Sequence, residues 1–356
     1  MRSTGKTGRL LMPGRFIPGW ELPIITQASL VFKDPTGINS VLLSDFTTNP
    51  GVAFSNGQVQ GGSPDGGGTL VVESNGVAND PKINFNTGFE GIGGGNLDLS
   101  LYPNMRSRHS STGADANFNT WRIPAIGGQA FSLAGNDGGF AESQGTVPNP
   151  IVSSGYRVDP RGSGAGWTVE FDYIYADRGR TVGFEFGHDG DNAGITPNAQ
   201  ITGGAVAGGI FSGTVNDDDP MLTGSVNLDP SVYRYAELRL KVPANGARID
   251  LFWANSNGGF SADRRVTIDE SAGLDGNWHT YVIDFGGEAA WTGGGTVTNF
   301  RLDPTAGNAA IGGTFEVDYI RFQEVNVVPE PGTLGLLLAG FLILINRRRS
   351  FMRREG

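Results

Sequence analysis

Two carboxylate pairs are the first residues in this chain whose types and spacing could do chemistry. Glu170 and Asp172 stand two apart in "WTVEFDYI", and Glu316 and Asp318 stand two apart in "TFEVDYI". On a strand, positions i and i+2 project to one face, so each pair would set two acids side by side. Glycoside hydrolysis uses two carboxylates at about 5–10 Å. The same pair in two copies, however, fits a shared fold-keeping role better than one active centre. The three histidines, His109, His188 and His279, are scattered without metal-ligand spacing. No nucleophile elbow, phosphate-binding loop or dinucleotide fingerprint is present. The chain has no cysteine, which excludes disulfides, thiol catalysis and Cys-ligated metals. We read it as a non-enzyme.

The elements that must position these acids are strands. "YAELRLKV", "RIDLFW", "WHTYVIDF" and "TFEVDYIRF" alternate apolar and polar residues, with Gly, Asn, Asp and Pro clusters between them. The pattern also repeats. "NGQVQGGS" (Asn56–Ser63) pairs with "NAQITGGA" (Asn198–Ala205), and Gly67–Ile83 with Gly208–Leu222. "LDLSLYPN" pairs with "AELRLKVPAN", "NTWRIPAIGG" with "HTYVIDFGG", and "YRVDP…GWTVEFDYI" with "FRLDP…GTFEVDYI". The expected organisation is an N-terminal segment, residues 1–39, then β-sandwich repeats at 40–177 and 178–325. The predicted fold class is all-β, two tandem jelly-roll sandwiches followed by a single short C-terminal hydrophobic helix.

Charge narrows the partners. The chain of 356 residues carries a net charge of −10, and the tail from Pro329 holds five arginines against two glutamates. The body is therefore more acidic than the whole, and it repels nucleic acid and anionic lipid. Residues 1–39 show basic Arg2, Lys6 and Arg9, but Pro13-Gly14 interrupts the apolar run after them, so no export signal is recognisable there.

The tail, residues 328–354, reads "VPEPGTLGLLLAGFLILINRRRSFMRR". Its uncharged run from Leu334 to Ile345 would make a helix of roughly 18 Å, short against a hydrocarbon core of about 30 Å. The arginines after it would hold the C-terminus on the cytoplasmic side. Pro329-Glu330-Pro331, the apolar helix and Arg347-Arg348-Arg349, in that order, resemble the PEP-CTERM sorting signal of bacterial surface and exopolysaccharide-associated proteins. That resemblance implies an exosortase-type membrane protease as partner and membrane insertion through the helix. It also implies a body that lies outside the cytoplasmic membrane, at the cell surface or secreted after processing.

The second repeat resembles the jelly-roll carbohydrate-binding modules of secreted glycan-active proteins. "YRYAELRLKV", "DGNWHTYVIDF", Trp291–Gly293 and "FRLDP…GTFEVDYIRF" carry the likeness. The resemblance implies non-catalytic binding of polysaccharide and a structural calcium near the joined first and last strands. Asp45, Asp172, Glu185, Asp189, Asp191 and Asp318 are the candidate oxygen donors. Stacking on sugar requires an exposed ring beside polar side chains. Trp253, which heads the loop of Asn255, Asn257 and Phe260, is the first candidate, although Ile249, Leu251 and Trp253 share a strand face and could be core. The expectation is thus an exported polysaccharide-binding protein. A ligand-free structural coat protein and, after it, a glycan-active enzyme are the alternatives.

Overall fold

The computed structural model describes residues 30–325, except 34–38, 47–51, 56–58, 65–68, 75–81, 86–94, 113–118, 124–128, 134–138, 161–166, 269–273, 306–309 and the single positions 149, 151, 154, 245 and 247. The sorting motif Pro329, Glu330, Pro331, Arg347, Arg348 and Arg349 lies outside the described residues. Among the described residues no helix is long and apolar enough to cross a membrane.

The chain is all-β. Strand β1 (Leu30–Lys33) is followed by β2 (Ser40–Ser44), β3 (Val52–Ser55), β4 (Val59–Pro64), β5 (Leu70–Ser74), β6 (Lys82–Phe85), β7 (Leu97–Asp98) and β8 (Asn104–Thr112). Next come β9 (Asn119–Ile123), β10 (Gln129–Leu133), β11 (Ala141–Thr146), β12 (Val152–Ser153), β13 (Tyr156–Pro160) and β14 (Thr168–Asp177). The second half holds β15 (Thr181–Glu185), β16 (Thr196–Pro197), β17 (Ile201–Ala207), β18 (Ile210–Val215), β19 (Leu222–Leu228) and β20 (Tyr235–Lys241). It closes with β21 (Ile249–Asn255), β22 (Arg265–Ile268), β23 (Trp278–Asp284), β24 (Val297–Asp303) and β25 (Thr314–Gln323).

Each half is a sandwich of two antiparallel sheets, and the two halves repeat one topology. In the first half the order β11-β8-β14-β5-β4, with β2 also on β14, faces β10-β9-β13-β6-β3. In the second, β23-β20-β25-β18-β17, with β15 also on β25, faces β22-β21-β24-β19-β16. Each sandwich encloses its own core. Val72, Phe171, Ile83 and Val158 belong to one cluster; Phe211, Leu238, Leu251 and Leu302 belong to the other. Burial of this kind contributes about 25 cal/mol per Å2 and is the main force holding each pair of sheets together.

This topology revises two of the five sequence pairings. The counterpart of "AELRL" in β20 is β8, "NMRSRHSST", and not "LDLSLYPN"; the counterpart of "HTYVIDF" in β23 is β11 and not "NTWRI". The physical reason lies in β8, which is polar yet buried on both faces, from Asn104 to Ser111. It carries no apolar alternation for a sequence reading to find. A second difference concerns β1. It lies within the segment assigned to the N-terminus, yet it pairs antiparallel with β23, Leu30 opposite Asp284, and extends the second sandwich's sheet.

Candidate functional site

The outer faces of the two larger sheets lie against one another, and the chemistry of the molecule is concentrated between them. The last strands set the pattern. β14 and β25 match position for position, from Thr168 and Thr314 to Asp177 and Gln323. Each has a β-bulge at its aspartate: the register shifts between Phe171 and Tyr173, and again between Val317 and Tyr319. The bulge follows the aspartate, so Glu170/Asp172 and Glu316/Asp318 stay on the face opposite the core residues Val169, Phe171, Phe315 and Val317. Each aspartate takes an arginine from the neighbouring strand, Asp172 from Arg108 and Asp318 from Arg239. Tyr173 and Tyr319 also correspond, and each hydroxyl donates to a glutamate at 2.8 Å, Glu142 and Glu237 respectively.

Between the sheets runs a buried ladder of ions. Arg106, 0% exposed, donates to Asp177 at 2.9 Å, Glu142 at 2.9 Å and Glu185 at 3.0 Å. Glu185 belongs to the second half, and its two oxygens also accept from Arg321 at 2.6 and 3.0 Å. Asn39 donates across the boundary to Glu237 at 3.0 Å and to Gln323 at 3.1 Å. Gly183 donates to Glu142 at 3.3 Å; a Cβ at this position would collide with the Arg106 guanidinium, so close approach requires glycine here. Burial alone would push Glu185 upward, but Arg321 and Arg106 hold it below the usual carboxylate range. A glutamate fixed as the anion, with both oxygens occupied by guanidinium, is neither a proton donor nor a free nucleophile.

Beside the ladder the two faces part to form a cleft of about 450 Å3. Its first-half wall is Ser40, Val41, Leu42, Asp45, Tyr173 and Tyr175; its second-half wall includes Glu185, Asp318, Tyr319, Arg321 and the hairpin tip Gly208–Ile210. Arg321 lies 3.7 Å from the Tyr319 ring centre and 4.9 Å from that of Tyr175. Gly208 and Gly209 have φ of 59° and 79°, the left-handed pair that a tight hairpin turn needs. This leaves bare backbone along that rim. Burial pushes Asp318 up despite Arg239, and pushes the hydroxyls of Tyr175 and Tyr319 well above their ordinary value.

Trp253 is 1% exposed and packs edge-on to Phe285 and Trp291, so it is a core residue with no ring face for sugar. Asn255 is buried beneath it, whereas Asn257 and Phe260 are exposed at the loop tip. Of the six candidate calcium donors, Asp172 and Asp191 share Arg108, Glu185 binds Arg106 and Arg321, and Asp318 binds Arg239. Asp189 accepts from the Gly208 amide at 2.6 Å and pins the hairpin tip, and Asp45 lines the cleft. Among the described residues no three His, Asp or Glu side chains come together as a metal site. Sequence reading missed Arg106, Tyr175, Tyr319 and Arg321. The one signal that pointed towards them was the doubled "DYI" motif.

No protein-family model and no curated protein matches the chain. Among solved structures it is similar to a xylan-binding module, CBM86, of Roseburia intestinalis, with 12% identity and a TM-score of 0.26 over 41% of this chain and 96% of that one. It is also similar to the tandem CBM22 domains of Paenibacillus barcinonensis Xyn10C, with 12% identity and a TM-score of 0.26 over 82% of this chain and 100% of that one. A third likeness is to the C-terminal CBM6 of a laminarinase from Zobellia galactanivorans, with 14% identity and a TM-score of 0.26 over 40% of this chain and 99% of that one.

Proposed function

We propose that this chain is an exported surface or matrix protein that binds polysaccharide without cleaving it, at the cleft between its two sandwiches. One observation carries the reading: a cleft of about 450 Å3 whose walls combine tyrosines, carboxylates, a guanidinium and open backbone. That volume falls within the range of ligand pockets, about 300–1,000 Å3, and the mixed lining suits a polyhydroxylated ligand. Two features favour binding over cleavage. Both oxygens of Glu185 are held by arginine, and Asp318 is paired with Arg239. The tail supports the placement, because Pro329-Glu330-Pro331, the apolar run and Arg347–Arg349 resemble the three parts of an exosortase-type sorting signal. Retention of the full chain on immobilised polysaccharides is the test. Selective retention on one class without release of reducing ends is expected; release of reducing ends would make the protein an enzyme. A folded chain that passes every matrix unretained would leave the structural coat reading in its place.

A further inference from the structure

The two repeats contribute the same positions to the cleft. Tyr173 and Tyr319 correspond, as do Tyr175 and Arg321, because β14 and β25 match residue for residue. Asp45 and Glu185 also correspond. Ser44 lies opposite Ile174 and Phe184 opposite Ile320, so the next residues, Asp45 after β2 and Glu185 at the end of β15, hold one place in their repeats. All six of these residues line the cleft. Tyr175 and Arg321, which hold one place in their respective repeats, lie against each other at 4.9 Å. Contact between a residue and its own counterpart is the mark of an isologous, two-fold-like interface. The neighbouring strands have diverged to make it stick. Opposite Tyr175 stands Arg106 and opposite Arg321 stands Glu237, so one position is a cation in one repeat and an anion in the other.

We infer that the two repeats are a built-in dimer whose paired faces form one composite site, and that this site takes one segment of a neutral glycan. The inference rests on the glycan-binding reading above. A chain of two independent modules would hold two sites, and its gain would come from avidity. Here neither half has a cleft of its own at this place, because each supplies one wall. Taken with the ladder beneath it, the cleft sets six carboxylates, Asp45, Glu142, Asp177, Glu185, Glu237 and Asp318, against three guanidiniums, those of Arg106, Arg239 and Arg321. Arg321 is itself engaged by Glu185 and Glu237. A low-dielectric cleft of that sign repels uronate and sulfate groups and admits uncharged sugars, whose hydroxyls can bond to the tyrosine hydroxyls and the open backbone of the rim.

Calorimetric titration of the full chain tests this, with cellohexaose, xylohexaose and laminarihexaose as neutral probes and hexagalacturonate as the anionic one. Ile210→Trp narrows the cleft from the second half and Leu42→Trp narrows it from the first; both positions are partly exposed. The expected result is binding of a neutral probe at one per chain, weakened at least about tenfold by either substitution at an unchanged melting temperature. Hexagalacturonate should give no heat. Two sites per chain, or binding that both variants leave intact, would overturn the composite site while leaving glycan binding in place. A preference for hexagalacturonate would overturn the neutral class. Absence of binding to any polysaccharide, judged by the retention experiment, would remove the functional reading itself.

Discussion

At the scale of residues, the buried carboxylates give the molecule its pH dependence. Burial pushes Asp172 up to about 6 against the pull of Arg108, and pushes Asp303 up to about 6 against Arg301. Burial raises Glu142 and Asp318 in the same direction. A carboxyl whose folded pKa exceeds its unfolded value near 3.9 adds stability below that value, and the gain is lost as pH rises through the folded pKa. Glu185 has the opposite sign, but its effect falls below its ordinary value of 4.5. Between pH 7 and pH 5 the melting temperature should therefore rise, and Asp303→Asn should flatten part of that rise. A melting temperature that falls over this interval would contradict the assignment. Residue identity was legible only in part. The alternation Ile249, Leu251, Trp253 already pointed inward, and Trp253 is core. Which guanidinium meets which carboxylate depends on contacts between residues as distant as Arg106 and Glu185, and no local pattern encodes them.

Among the elements, the strands with one wet face were plain in the sequence, and those covered on both faces were not. β18 alternates half-buried and buried residues from Ile210 to Val215, as its apolar pattern implies. β8 is sealed by its sandwich core on one side and by the second half on the other, so its Arg, Ser and His residues are buried without an apolar signature. The bulges at Asp172 and Asp318 were equally silent, since "VEFDYI" reads as regular alternation. β1 is short, and only the exposed edge of β23 gives it a reason to be a strand. Val31 packs on the second core, so the strand contributes burial as well as ladder bonds. Removal of residues 1–33 should lower the melting temperature by about 2–6 °C, the shift that one to two kcal/mol produces in a domain of this size. An unchanged melting temperature would mean that β1 adds nothing to the sheet.

For the whole molecule, the point is that two repeats legible in sequence as tandem units are joined as one body. The doubled "DYI" and the pairs "YRVDP" and "FRLDP" revealed the duplication, but not that the copies present equivalent faces to each other. The ion ladder Arg106–Glu185–Arg321–Glu237 sits on that boundary, largely buried, where loss of one partner strands a buried charge at a cost of about 3–5 kcal/mol. The most direct test is differential scanning calorimetry of the full chain beside Arg106→Ala. One cooperative transition in the native chain, with matching calorimetric and van't Hoff enthalpies, should give way in the variant to a lower-melting transition split in two. Two separate transitions in the native chain, indifferent to Arg106→Ala, would show the sandwiches to be independent modules and would contradict a shared cleft.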